Sequence, residues 1–315
     1  MNMKKAIDDY ISFRKSLGER GTTNGKILRA FCRAIGEDMS LADVSPASVS
    51  DFLAGTGPLT ASWHVRHNAL SGFYRYAQSR NLTNTSPLPL EVPKRPLAFE
   101  PYIYSQDELR RLIEATASYQ RNRGHLDPRM VRTILLLLYG AALRVSEALS
   151  LTYADVDLDD AVLTVRDTKF YKTRLVPIGP NLTRELREYA GWCSAGGCCT
   201  SGESVFFANR YGQPINSNTL QYNFQRLRAY VGLRRDGGPH CQPRMHDLRH
   251  TSAVHHLTWC YRQNGDVQKF IARLSVYMGH AHLAGTQAYL SMTPQLLHEA
   301  GLRFERYATQ EGDHD

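Results

Sequence analysis

Five prolines, Pro87, Pro89, Pro93, Pro96 and Pro101, crowd into the stretch "TNTSPLPLEVPKRPLAFEP". Each fixes its own φ and lacks a backbone N–H, so no regular helix can run through them. Such a segment is a stiff, extended connector. The chain has 315 residues, long enough for two domains. The expected organisation is therefore a first domain over residues 1–88, a linker over 89–102 and a second domain over 103–315.

Before the linker the sequence reads as helices only. "MKKAIDDYISFRKSLG" sets Ile7, Tyr10, Ile11 and Phe13 close to one stripe, with Gly18 as a stop. "TTNGKILRAFCRAIG" repeats the pattern with Ile27, Leu28, Phe31 and Cys32, and Gly36 follows. In "SPASVSDFLAG", Ser45 is a capping residue, Pro46 occupies the first helical position and Gly55 closes the helix. The longer "TASWHVRHNALSGFYRYAQSRN" carries Arg66, His67, Arg75 and Arg80 together with Tyr74 and Tyr76. Basic residues on a helix usually mark a solvated face; mixed with aromatics in a basic chain, they also suit a DNA-facing surface.

After the linker the period changes twice. Ser105 and Glu108 have the spacing of a capping box. "DPRMVRTILLLLYGAALRVSEALSL" is apolar almost all round and reads as a core helix. "DVDLDDAVLTVRDTKFYKTRLVPIG" breaks into short β-branched runs, the signature of a small antiparallel sheet, and "SVFFANRYGQPIN" suggests another strand and turn. From about residue 216 helical patterns return. The fold class is thus mainly α with a small antiparallel β-sheet.

A formal net charge of +8 and a pI near 9.2 suit a polyanionic partner. No apolar run approaches the roughly 20 residues of a membrane span, and "MNMKKAIDDYISF" lacks the apolar core of a signal peptide, so a cytoplasmic location is expected. The cysteine run "CSAGGCC" does not have the paired spacing of a zinc module, so neither a structural metal nor a cofactor is expected.

The stretch "HDLRH", residues 246–250, admits two chemistries. His246 and His250 stand four apart, as in the zinc-binding H-E-x-x-H helix. His246 and Arg249 stand three apart and share a helix face, which suits a phosphate. Asp247 is shorter than the glutamate of the zinc motif, and a guanidinium beside the site would repel a cation. The phosphate reading is preferred, with His250 as a supporting or packing residue and His255 and His256 as decoration of the helix.

Other residues join this pair in a fixed order: Arg144 in "GAALRVSEALSL", Lys169 and Lys172 in "DTKFYKTRLVPI", then His280 and Tyr289 in "MGHAHLAGTQAYL". In that order, over nearly the whole chain, the sequence resembles the tyrosine recombinases, the phage-integrase-like site-specific recombinases of the Xer-like or mobile-element type. The resemblance implies a helical core-binding domain followed by an α+β catalytic domain. It implies a site of Arg144, Lys169, His246, Arg249, His280 and the nucleophile Tyr289, which would cleave and rejoin DNA through a 3′-phosphotyrosine without metal or ATP. Guanidiniums fit that chemistry because they stay charged and fork onto phosphate oxygens. Between the two lysines, register favours Lys169 as the proton donor to the leaving oxygen. The implied partners are double-stranded DNA with inverted half-sites and further copies of the chain, in a tetramer, with related recombinases as alternatives. In the tail, Leu296, Leu297, Leu302 and Phe304 are expected to dock on a neighbouring subunit.

Two segments depart from the usual pattern: the stretch between Arg249 and His280 is long, and "GWCSAGGCCTSGE" is a local elaboration. The alternatives are a DNA-binding accessory subunit of weak activity, and a zinc hydrolase that would lose activity in chelator.

Overall fold

The computed structural model describes the chain apart from residues 1, 20–21, 58, 97–99, 120–125, 167–172, 198–200, 210, 239–240, 281, 292–293 and 311–315. It divides into two compact units, Met1–Ala98 and Phe99–Asp315.

The first unit contains the helices α1 (Met3–Ser16), α2 (Thr22–Ile35), α3 (Pro46–Ala54) and α4 (Ala61–Ser79). Their ends follow local chemistry. The Ser45 side chain caps α3 by accepting from the Ser48 N–H, Pro46 sits at its start, and Gly55 leaves it at φ +67°. Ile7, Tyr10, Leu28, Phe31, Leu53, Leu70 and Phe73 fill one core between them. The expected basic-aromatic face of α4 is only partly real. Tyr74 is buried in that core, Tyr76 stacks on Phe13, His67 stacks on Trp63, and Arg66 donates to the Phe52 carbonyl at 3.0 Å. Arg75 and Arg80 remain exposed. Aromatic rings on a helix that meets three others are worth more buried than exposed.

The second unit opens with α5 (Gln106–Glu114), whose capping box joins Ser105 and Glu108 in both directions. Next come α6 (Pro128–Gly140) and the short α7 (Val145–Leu149). The antiparallel sheet is β1 (Val156–Asp157), β2 (Val162–Val165) and β3 (Arg174–Pro177), in that order, with Leu163 opposite Val176 and Val165 opposite Arg174. Then follow α8 (Pro180–Ala195) and α9 (Ser217–Tyr230). One core gathers α5, α6, the sheet, α8 and α9 around Ile134, Leu138, Leu163, Val176, Leu186 and Phe224. "SVFFANRYGQPIN" forms two isolated bridges, Thr152 with Val205 and Ala208 with Pro214, while Phe206 and Phe207 enter the core.

The last part holds α10 (Asp247–Arg262), α11 (Val267–Met278), α12 (Ala284–Gln287), a 3-10 turn (Ala288–Ser291) and α13 (Pro294–Gln310). The long stretch after Arg249 is therefore two helices joined by a tight turn, with Asn264 at φ +52°. In the tail, α13 packs on α10 of its own unit. Leu296 is fully buried there beside Tyr289, and Glu299 takes a hydrogen bond from Arg262 at 2.7 Å. Leu297, Leu302 and Phe304 stay exposed. Among the described residues no helix is long and apolar enough to cross a membrane.

Candidate active site

The C-terminal end of α11 organises the site. A helix leaves its last carbonyls without partners inside the helix, at the negative end of its dipole. Here three successive carbonyls each meet a different arginine. Arg174 Nε donates to Tyr277 at 3.1 Å, Arg249 Nη2 to Met278 at 2.6 Å and Arg144 Nη2 to Gly279 at 3.1 Å. Gly279 ends the helix in the left-handed conformation, at φ +68°.

One carboxylate ties the same arginines together. Glu147, in the first turn of α7, is buried and takes Arg144 Nη1 at 2.6 Å and Arg174 Nη2 at 2.8 Å, with Arg249 Nη1 at 3.9 Å. Burial alone would raise its pKa, but the hydrogen bond from Arg174, the Arg144 N–H and both guanidinium charges hold it at about 2. Arg249 is 2% exposed and also donates to the Ala142 carbonyl. Burial, then the charge of Arg144, brings it down to about 10. Three guanidiniums on one carboxylate leave an excess of positive charge, which suits an anion.

The histidines and the tyrosine meet beside this cluster. Tyr289 is 2% exposed, and its hydroxyl lies 3.0 Å from His250 Nδ1. Its ring stacks on His280 with centroids 6.1 Å apart. His280 is fixed by Nδ1 against Thr286 Oγ1 at 2.7 Å. His246, just before α10, stands perpendicular to His250 with ring centroids 4.8 Å apart. Burial, followed by neighbouring positive charge, depresses His246, and brings His280 down to about 4. Tyr289 is pushed up by burial, against the pull of Arg249 and Arg144. Arg144, His246, Arg249, His280 and Tyr289, up to 145 positions apart in the sequence, are thus drawn into one place. Lys169 and Lys172 fall in the connection from β2 to β3, outside the described residues.

The phage integrase family matches residues 103–295. An integrase/recombinase of Sinorhizobium fredii, y4rB, is 32% identical over 96% of this chain and 97% of its own length. The chain belongs to the phage integrase family. It is a tyrosine recombinase, an enzyme of DNA recombination. The tyrosine recombinase XerC of Brucella melitensis is 29% identical over 84% of this chain and 80% of its own. In fold the chain is similar to the Tn1549 transposon integrase in complex with transposon right end DNA. That match has a TM-score of 0.69 and 15% identity, and covers 98% of this chain and 100% of the other.

Two residues of the recombinase's cluster were missed in the sequence. Arg174 opens β3 as the first residue of "RLVP", and packing sets it 11% exposed against Glu147. Glu147, three residues after Arg144, joins it in the structure as the shared carboxylate of the cluster. Asp247, read as a short acid, is fully buried and accepts from the Arg244 N–H at 2.8 Å, fixing the turn that launches α10. His255 does more than decorate α10, since its Nδ1 lies 2.9 Å from the Tyr139 hydroxyl. Among the described residues no group of three or more His, Cys, Asp or Glu is placed to hold a metal ion.

Gly279 links backbone to site in a testable way. A Cβ there would stand 2.8 Å from Arg174 Nη1 and 2.9 Å from its Cζ, on a left-handed backbone. Gly279→Ala should cost about 1–2 kcal/mol for the backbone conformation alone, and should displace Arg174 from Glu147. Urea unfolding measures the first effect. A variant as stable as the wild type would mean that the turn is not held left-handed.

Proposed function

We propose that the recombinase cleaves and rejoins DNA strands at a specific site through a 3′-phosphotyrosine on Tyr289. The observation that carries this reading is the approach of the Tyr289 ring and hydroxyl to His250, His280 and the arginine cluster. In the proposed reaction the phenolic oxygen attacks the scissile phosphorus and the 5′ oxygen leaves. Arg144 and Arg249 hold the non-bridging oxygens, work for which a preorganised guanidinium is suited. His246 and His280 complete the polar wall around the phosphate. Glu147 and Arg174 position the two arginines. Lys169 protonates the leaving oxygen. Because the phosphotyrosine ester conserves the bond energy, a second 5′ hydroxyl can reverse the step without ATP.

The expected partner is double-stranded DNA bearing inverted half-sites, with residues 1–88 as the core-binding domain, 89–102 as the linker and 103–315 as the catalytic domain. The basic charge of the chain supports this. A homotetramer on DNA is the proposed assembly. The exposed Leu297 and Phe304 of α13 are available to it, although Leu296 is already used within its own unit.

A nicked suicide substrate tests the function. The wild type should give a covalent protein–DNA band on a denaturing gel, at the same rate in excess EDTA. Absence of any band on its own site would favour an accessory DNA-binding subunit; loss of the band in EDTA would favour a metal hydrolase. Lys169 is tested with the leaving group. Lys169→Ala should be slower by about 10²–10⁴-fold on ordinary DNA, the usual size of a general-acid contribution. It should recover on DNA with a 5′-bridging sulfur, because a thiolate leaves without a proton. Rescue in Lys172→Ala instead would reverse the assignment.

A further inference from the structure

The hydroxyl proton of Tyr289 has to leave as the oxygen attacks. Burial raises the phenol above its usual value, so at neutral pH the phenolate is scarce and a nearby acceptor is needed. Arg249, the cation beside the hydroxyl, carries only donors. It can give a hydrogen bond to the oxygen but cannot take its proton. His280 turns its Nδ1 to Thr286 Oγ1 and meets Tyr289 through stacked rings. His246 meets the ring of His250. Among the described residues the acceptor in hydrogen-bond reach is His250 Nδ1, at 3.0 Å.

We propose that His250 is a catalytic residue, the general base that takes the proton of Tyr289 during cleavage and returns it during rejoining. The inference rests on the reading of Tyr289 as nucleophile. In cleavage the Tyr289 Oη–P bond forms, the P–O5′ bond breaks, the phenol proton passes to His250 Nδ1, and the 5′ oxygen takes a proton from the acid on its own side. Rejoining reverses each transfer. The surroundings suit the role. His250 faces His246, Asp247, Arg244 and Arg249 from its own helix and the turn before it, and Tyr289 from the 3-10 turn. Burial, then His246, brings it down to about 4, so the ring is neutral near pH 7 and free to accept. The accepting tautomer carries its hydrogen on Nε2. Its place in the helix is fixed by sequence: one residue beyond Arg249, it points to Tyr289 while Arg249 points to the carbonyls of Ala142 and Met278.

The test is single-turnover cleavage of a nicked suicide substrate by His250→Asn and His250→Ala. Asparagine offers Oδ1 near the former Nδ1 position, so it keeps the hydrogen bond but cannot hold the proton. Both variants should bind the site as the wild type does and cleave about 10²–10⁴-fold more slowly at neutral pH. Between about pH 7 and pH 9 the His250→Asn rate should climb by about tenfold per unit, following the phenolate, while the wild type changes little. Added imidazole should restore part of the His250→Ala rate. His250→Asn cleaving at the wild-type rate, with a flat profile, would reduce His250 to holding the ring and overturn the proposal. Should His250→Asn misfold, failure of imidazole to rescue His250→Ala would overturn it as well. If the wild type gives a covalent band that Tyr289→Phe also gives, the nucleophile itself has been misread, an outcome distinct from loss of the base alone.

Discussion

Tyr289→Phe will bind its DNA site as the wild type does and form no covalent complex with it. The substitution removes one oxygen. The ring is buried beside Leu257, Ile271 and Leu296, and phenylalanine keeps that packing. What is lost within the protein is the contact to His250 at 3.0 Å and the neighbouring interaction with Arg249. A neutral hydrogen bond contributes about 0.5–1.5 kcal/mol net, so the variant should fold and melt close to the wild type. With Tyr289 as the proposed nucleophile, the expected loss is total for covalent capture, because phenylalanine offers no attacking oxygen. Gel shift gives the binding, and a denaturing gel after reaction with the nicked substrate gives the covalent band. A band of wild-type intensity would show that another residue attacks.

Glu147→Gln should produce the largest loss of stability of any single change in the cluster. Arg174 and Arg249 have side chains 11% and 3% exposed, and Glu147 is the anion they share. Removing one member of a buried ion pair costs about 3–5 kcal/mol, since the remaining charge is left without compensation. The depressed pKa of Glu147 gives a second figure. The Glu147 pKa falls from 4.5 to about 2 on folding, which corresponds to about 3 kcal/mol. A depressed carboxylate stabilises the fold above its unfolded value and ceases to do so as pH falls through its folded value. This contribution is therefore complete above about pH 4.5 and is lost towards about pH 2. Urea unfolding of the two proteins should differ by about 3 kcal/mol at pH 7 and converge in acid. A constant difference across that range would place the stabilisation elsewhere. Cleavage should fall in parallel, because Arg144 and Arg174 lose the carboxylate that aims them.

The sequence determined those features of the recombinase that rest on neighbours along the chain. Ser45 with Pro46, and Ser105 with Glu108, start helices through contacts three residues long, and those signals do not depend on the rest of the fold. Leu163 and Val165 alternate as a strand with one buried face. Arg144, His246, Arg249, His280 and Tyr289 stood out as a group by residue type and by their order along the chain, and the structure brings them near one another. The tertiary structure decided what no local period carries. Arg174 is an ordinary strand residue until the C-terminal end of α11 arrives from 103 positions away and offers the Tyr277 carbonyl. His250 read as a supporting or packing residue because its partner lies 39 residues onward, across two helices. Tyr74 looked outward beside arginines, yet the assembly of four helices buries it. Leu296 seemed to await a neighbour, and α10 of the same unit covers it. Caps and strand alternation are set by backbone geometry over a few residues, whereas counter-charges and proton acceptors are set by which helix ends meet, and that is fixed only when the whole core closes.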